Sequence, residues 1–333
     1  MNISILGAGG FLGRKLAAEL ARRGRLGATP ITGLTLFDIA APAAPPGAPF
    51  PVRAIAGDLA ALPEAAIPPG TGAVFHLAAV VSAQAEADYA LGMRVNLHGT
   101  LQVIDACRRL RESAPAAAPP RVVFTSSVAS FSGGQGACLA DDARQVPANS
   151  YGAEKAAAEL LLGDASRRGF LDAVALRLPT IVVRPGRPNR AASSFFSAII
   201  REPLLGLPAE LPVADDFAAW LASPRRAVDW LLHAAAMDSA TLGLDRGVNP
   251  PGLRMTVGGM LAALEAVRPG AAALVQRVPD PEIAAIVGTW PAAFAPVRAP
   301  ALGFAAHESF EEVVRAFIAD DLDATRAERG LAP

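Results

Sequence analysis

The chain has 333 residues, of which 52% are hydrophobic, and a formal charge of −1. That length fits two domains or one large α/β unit and can bury a core without staples. With no basic stripe and no run of about 18 or more apolar residues, neither nucleic acid nor membrane is an expected partner, since much of the hydrophobic fraction is alanine. In chain order, the segment "ISILG" from Ile3 reads as a short buried strand. The run "FLGRKLAAELARRG" then reads as a helix ending near Gly24. Further strands are "LTLFD", "VRAIAGD", "AVFHLAA" from Ala73, "RVVFTSS" from Arg121 and "AVALRLP" from Ala173. A long helix, roughly Gly92 to Arg111, precedes the Arg121 strand, and a helix carrying Tyr151 follows it. The Pro/Ala tracts "APAAPPGAPF" and "SAPAAAPP" read as surface loops, because proline continues neither element.

This alternation implies a parallel sheet with helices on both faces, joined by right-handed crossovers. The expected fold is α/β: a Rossmann-type doubly wound parallel sheet with a smaller C-terminal substrate-binding subdomain. Residues 1–180 are expected to form the Rossmann domain, rejoined by part of 222–250. Residues 181–333 are expected to be mainly the substrate-binding subdomain. The start "MNISILGAGG" enters a strand directly, without a charged region, apolar stretch and cleavage site, which fits a cytoplasmic protein. Cys107 and Cys138 lack metal or CxxC spacing and read as reduced thiols. Four scattered histidines form no ligand pair, so no metal is expected.

The loop Gly7-Ala8-Gly9-Gly10-Phe11-Leu12-Gly13 follows a strand and opens a helix. In that context glycines permit a tight turn and close approach to a pyrophosphate, and the helix N-terminus supplies free N–H groups. Asp38 ends the second strand, where a carboxylate can accept hydrogen bonds from both adenosine ribose hydroxyls and would repel a 2′-phosphate. Ile39 and Ala40 follow, not arginine, so NAD is expected over NADP. A loop-capping aspartate is the plain alternative. Asp58 ends the third strand, near the expected adenine; a turn aspartate is nearly as good a reading.

Tyr151 and Lys155 carry the chemistry. The chain has only two tyrosines and two lysines, Lys15 and Lys155. Chance would place a Tyr and a Lys four apart about one time in a hundred. That spacing sets both on one helical face, where an ammonium lowers the pKa of a phenol from about 10 and makes a general base near neutral pH. Ser126 and Ser127 end the fifth strand, at the carboxyl edge where open α/β sheets bind ligands. Either hydroxyl could donate to a substrate oxygen and steady the Tyr151 hydroxyl.

Together these pieces resemble the extended short-chain dehydrogenase/reductase family, which is also described as the NAD-dependent epimerase/dehydratase family. The matching segments are "GAGGFLG", Asp38, "GDL", "HLAA", Val95–Asn96, "TSS" and the Tyr151–Lys155 pair, in the family's order over the first 180 residues. The resemblance implies an NAD-dependent enzyme acting on CH–OH groups. It implies Tyr151 as acid/base, Lys155 on the nicotinamide ribose, Ser127 orienting the substrate oxygen, and Asn96 supporting the helix geometry and a proton relay. It puts Gly7, Gly10, Phe11, Leu12 and Gly13 at the pyrophosphate turn and Leu59 beside adenine. Ala78, Ala79, Leu178 and Thr180 would line the cofactor. A homodimer through the long helix and the Tyr151 helix is implied by analogy.

The second half is expected to decide the substrate. Its "LRLPTIVVRPGRPNRAASSFFSAIIREPLLG" and "ASPRRAVDWLLHAA" segments look like the D-erythronate dehydrogenase branch of that family. That branch implies oxidation of the C2 hydroxyl of a small sugar acid, D-erythronate giving 2-oxo-tetronate. Arg184, Arg187, Asn189, Arg190, Ser193 and Ser194 crowd one stretch, and an arginine fork suits a carboxylate. Arg184 is the first choice for that role, with Arg190 and Arg225 behind it, though any one of these arginines could simply be solvated. Ser82 and Glu86 could face the nicotinamide side of the pocket or cap a helix. Two other functions stay open: a nucleotide-sugar epimerase or dehydratase that recycles NAD in each turnover, and a non-catalytic NAD-sensing protein. Val128 and Ala129, where a 4,6-dehydratase would place an acidic pair, weaken the dehydratase option.

Overall fold

The structure, a computed structural model, describes residues 1–134, 136–187, 192–307 and 309–331. The chain divides into two compact units. The first comprises Met1–Ser130, Asn149–Arg177 and Val228–Val248. The second comprises Phe131–Ala148, Leu178–Ala227 and Asn249–Pro333.

The first unit is built on a seven-stranded sheet. Its strands are β1 (Asn2–Leu6), β2 (Gly33–Asp38), β3 (Val52–Ala56), β4 (Thr71–His76), β5 (Arg121–Ser127), β6 (Asp172–Leu178) and β7 (Gly247–Val248). They lie in the order β7-β6-β5-β4-β1-β2-β3, and the ladders run parallel. The order reverses between β1 and β4, the switch point where such sheets bind ligands. The central strands are near-continuous apolar runs, as burial on both faces demands: Ile3, Ile5, Val74, Phe75, Val122, Val123, Phe124 and Val174 are all buried. β3, at the edge, is mostly exposed or half-buried.

Three helices position the site. α1 (Phe11–Arg23) ends at Gly24, whose φ of 64° lets its N–H reach the Leu20 carbonyl. α2 (Gly99–Ser113) and α3 (Ser150–Arg167) share one core with Val103, Cys107, Val122, Phe124, Ala158 and Leu162. Asn149 caps α3 by accepting the Gly152 N–H at 2.7 Å. The long helix expected from Gly92 is interrupted: Tyr89–Gly92 is α-helical and Met93–His98 is a π-helical stretch before α2 begins. Wider turns of this kind are enriched at functional sites, and Asn96 sits in this one.

The second unit carries a three-stranded sheet in which Ala218–Ala222 runs parallel to Thr180–Ile181 and antiparallel to Leu253–Thr256. Ala209–Leu211 and Val275–Arg277 form a separate parallel pair. Helices Ser194–Leu204, Val257–Val267 and Phe310–Asp320 close over a core that includes Phe196, Ile199, Leu221, Met260, Leu264, Phe310 and Phe317. Both cysteines are free, Cys107 buried and Cys138 exposed, and burial pushes the Cys107 thiol up to about 12.

Candidate active site

The glycine loop leaves β1 against β2. Gly7 and Ala8 donate their N–H groups to the Phe37 carbonyl at 2.9 and 3.1 Å. Gly7 has φ +89°, and a Cβ there would lie 2.5 Å from the Ala78 nitrogen. A Cβ on Gly13 would lie 2.2 Å from the Gly7 carbonyl oxygen. No side chain caps Gly10 and no acidic residue occupies the first turn of α1. The loop is therefore a cradle of bare backbone opening onto a helix N-terminus, the chemistry a pyrophosphate requires. Asp38 accepts the Gly9 N–H at 2.8 Å and the Ile39 N–H at 2.7 Å. An ionised carboxylate has about four acceptor sites, so two ribose hydroxyls can still be received. These residues fit a dinucleotide.

Asn96 clamps the loop after β4. Its Oδ1 accepts the Val80 N–H at 2.9 Å, and its Nδ2 donates to the Val80 carbonyl at 3.1 Å and to Glu154 Oε2 at 2.7 Å. Ala78 and Ala79 lie half-buried just before Val80.

Tyr151, Lys155 and Glu159 form one stripe of α3, spaced i, i+4, i+8. Tyr151 is half-buried and Lys155 is fully buried. The Lys155 ammonium donates to the Thr125 carbonyl at 2.9 Å and lies 5.5 Å from the centre of the Tyr151 ring. Burial pulls the Lys155 ammonium down to about 7, against the opposing pull of the Glu154 and Glu159 carboxylates. His76, at the end of β4, is buried and held near 3 by desolvation and then by the Lys155 charge; its Nε2 meets the Thr100 hydroxyl at 2.9 Å. Ser127 is half-buried at the end of β5, its hydroxyl accepting the Ala129 N–H at 3.1 Å. Gly7, Asp38, Asn96, Ser127, Tyr151 and Lys155 thus all belong to the first unit. Gly7, Asp38 and Ser127 lie at or just past strand ends, Tyr151 and Lys155 in the first turns of α3, and Asn96 in the π-helical stretch.

Several expected site residues are engaged differently. Ser126 points away from Ser127, as alternation along a strand requires, and its hydroxyl bonds to Glu159, which pairs with Arg177 at 2.8 Å. That buried network engages the Ser126 hydroxyl. Leu59 is buried, and a Cβ on Gly99 would lie 2.6 Å from its Cδ2. Asp58 caps a short 3₁₀ turn through the Ala60 N–H at 2.9 Å and pairs with Arg94. Ser82 begins the short helix Ser82–Ala87, half-buried. Leu178 is buried at the end of β6, and Thr180 pairs with Leu221 in the second unit.

Within the second unit, Arg184 and Ser193 come together. The Arg184 guanidinium donates to the Ile181 carbonyl at 3.1 Å and reaches the Ser193 hydroxyl at 3.5 Å. The fork of Arg225 meets Asp320, with contacts of 2.9 and 2.6 Å. Asn189 and Arg190 lie outside the described residues. Glu154, Glu159 and Arg177 belong to no motif legible in the sequence. Glu154 and Glu159 flank Lys155 in a helix with few charges, the one signal that could have singled them out.

Residues 3–221 match the NAD dependent epimerase/dehydratase family. The chain belongs to that family, and its cofactor is NAD. The chain is 49% identical over 327 residues to the D-erythronate dehydrogenase of Cupriavidus necator, covering 96% of this chain and 98% of that protein. It is 38% identical over 328 residues to the D-erythronate dehydrogenase of Haemophilus influenzae, covering 97% of this chain and all of that protein (100%). The nucleoside-diphosphate-sugar epimerase from Agrobacterium tumefaciens superimposes with a TM-score of 0.92 at 45% identity, over 97% of this chain and 95% of that structure. The resemblance read from the sequence and the Rossmann-type sheet are both borne out. Among the described residues, no helix is long and apolar enough to cross a membrane.

Proposed function

We propose that this protein oxidises the C2 hydroxyl of D-erythronate to the 2-oxo acid. The observation that carries the reading is the α3 stripe, in which Lys155 is anchored to the Thr125 carbonyl 5.5 Å from the Tyr151 ring. Bound NAD supplies the acceptor for the C2 hydride. Tyr151 takes the hydroxyl proton, and the adjacent ammonium stabilises the phenolate that must form first. Ser127 donates to the substrate oxygen and orients it. Gly7, Gly10, Phe11, Leu12 and Gly13 hold the pyrophosphate, and Asp38 holds the adenosine ribose. Asn96 keeps the Val80 loop in place at the sheet edge. Arg184, with Ser193, is the partner for the substrate carboxylate. The first unit thus holds the residues assigned to the cofactor.

Identities of 49% and 38%, to proteins named for this activity and over almost the whole chain, support the substrate. The test is direct: purified protein, NAD and a panel of four- to six-carbon aldonic acids, followed at the NADH absorbance. NADH accumulating with D-erythronate carries the reading; none with any aldonate sinks it. A second reading, nucleotide-sugar epimerisation, is favoured by the 45% identical structure named for it. It would interconvert its substrates with no net NADH.

We further infer a homodimer in the cytoplasm. Leu101 on α2 and Leu160 and Leu161 on α3 are exposed, Leu160 at 75%, and would be covered by a second copy. Sedimentation of the wild type against Leu160→Glu tests this.

A further inference from the structure

Glu154 is buried, 2% exposed, and the proton-transfer scheme above gives it no task. One of its oxygens accepts from Asn96; the other, Oε1, is buried without a hydrogen-bond partner. The space for that oxygen is made by Gly92, where a Cβ would lie 2.3 Å from it. A buried carboxylate so placed costs free energy unless its charge is used.

The groups around it show the use. Among the described residues no guanidinium pairs with Glu154. Glu86, from the helix Ser82–Ala87, opposes its ionisation, while its own bond to the Ser150 N–H ties it to the start of α3. Burial raises Glu154 above the usual carboxylate range, and the Asn96 bond and the Lys155 charge hold it down. Around Lys155 lie neutral His76 on β4, the Phe124 ring at 4.6 Å, the Thr125 carbonyl, Tyr151 and Glu159. Glu159 also acts on Lys155, but its charge is shared with Arg177 at 2.8 Å. Glu154 is the negative charge left over.

We propose that Glu154 is a positioning residue for the proton-transfer pair: its carboxylate fixes the Asn96–Val80 clamp and supplies the counter-charge that keeps Lys155 an ammonium. The inference rests on the Tyr151–Lys155 reading above but not on the substrate. Lys155 is so deeply buried that desolvation alone favours the neutral amine, and a neutral amine cannot stabilise the Tyr151 phenolate. One uncompensated carboxylate shifts that balance, while Glu159 serves mainly the strand end through Ser126.

The chain's two lysines make the test clean. Protein labelled with ¹³C at lysine Cε gives two resonances, and Lys15→Arg leaves only that of Lys155. It is titrated without cofactor in the wild type, in Glu154→Gln and in Glu154→Asp. Glutamine keeps an acceptor for Asn96 but loses the charge; aspartate keeps the charge but cannot span to Asn96. The expected result is that the Lys155 acid dissociation constant rises about tenfold or more in Glu154→Gln. In Glu154→Asp it should stay within about threefold of the wild type. An unchanged Lys155 titration in Glu154→Gln overturns the proposal. So does a rise of about tenfold or more in Glu154→Asp, which would mean that packing and not charge sets the titration, and this arm stands even if the glutamine variant does not fold. Failure to oxidise D-erythronate would leave these titrations untouched, so the two readings fail separately.

Discussion

A methyl group on Gly13 would lie 2.2 Å from the carbonyl oxygen of Gly7, closer than any real Cβ contact. The helix α1 therefore rests on the glycine loop backbone to backbone. Gly13→Ala must push the two apart, an overpacking that costs about 1–3 kcal/mol. It should lower the melting temperature and weaken NAD binding about tenfold or more, measured by calorimetric titration. Wild-type NAD affinity in this variant would mean that the loop does not hold the cofactor.

If Asp38 holds the adenosine ribose as proposed, it sets the cofactor preference. Its carboxylate is oriented by the Gly9 and Ile39 N–H groups, leaving acceptor sites for two ribose hydroxyls and none that tolerate a phosphate. The ratio of kcat/KM for NAD over NADP should fall more than tenfold, about 1.4 kcal/mol, in Asp38→Ser. An unchanged ratio would remove Asp38 from the adenosine ribose.

Tyr151→Phe removes the proton acceptor and little else. Turnover should drop by about 10² to 10⁴-fold. NAD affinity should stay near that of the wild type. A near-normal rate of NADH formation would show that another group is the base.

The two arginines of the second unit should behave differently. Arg184→Ala should lower kcat/KM for D-erythronate more than tenfold, about 1.4 kcal/mol of transition-state binding, with NAD affinity little changed. Arg225→Ala loses an exposed pair with Asp320, so kcat/KM should change by less than about twofold. The reverse pattern in steady-state kinetics would move the carboxylate to Arg225.

His76 makes the fold acid-sensitive. Its folded-state pKa is depressed to about 3, whereas in the unfolded chain it is about 6.5. Between those values the unfolded state binds more protons, so stability from this group is intact above about 6.5 and is lost as pH falls towards 3. The slope approaches about 1.4 kcal/mol per pH unit. In urea unfolding, the stability gap between the wild type and His76→Gln should therefore narrow as pH drops from 7 to 4. A gap that widens or stays constant would contradict a neutral buried His76.

The first unit was legible because its signals are local. Apolar runs gave the main strands, glycines at Gly7 and Gly13 marked positions where only backbone fits, and the rare Tyr151–Lys155 spacing put both on one helical face. The Pro/Ala tracts fell in loops for the same local reason. What could not be read depends on distant partners. Ser126 and Ser127 look alike in sequence, and only the Glu159–Arg177 pair behind β5 separates them. Arg225 looks like a free fork until Asp320, far along the chain, fills it. The π-helical stretch at Met93–His98 follows no propensity; it goes with the clamp that Asn96 makes on Val80. Glu154 carries no local signal, because its burial depends on Gly92 and Asn96, far from it along the chain.

The sheet of the first unit is completed by β7, which the chain reaches only at Gly247 after crossing through the second unit. During synthesis β6 therefore waits, its outer edge unpaired and its Ala173–Leu176 run without its final cover, until some seventy further residues have been made. A protein ended at residue 180 would keep that apolar edge for good and be open to pairing with a second chain. A fragment holding the whole first unit cannot be obtained by trimming the ends alone. It has to be spliced, with Ser130 joined to Asn149 and Arg177 joined to Val228, so that one polypeptide carries all three pieces of the half-molecule.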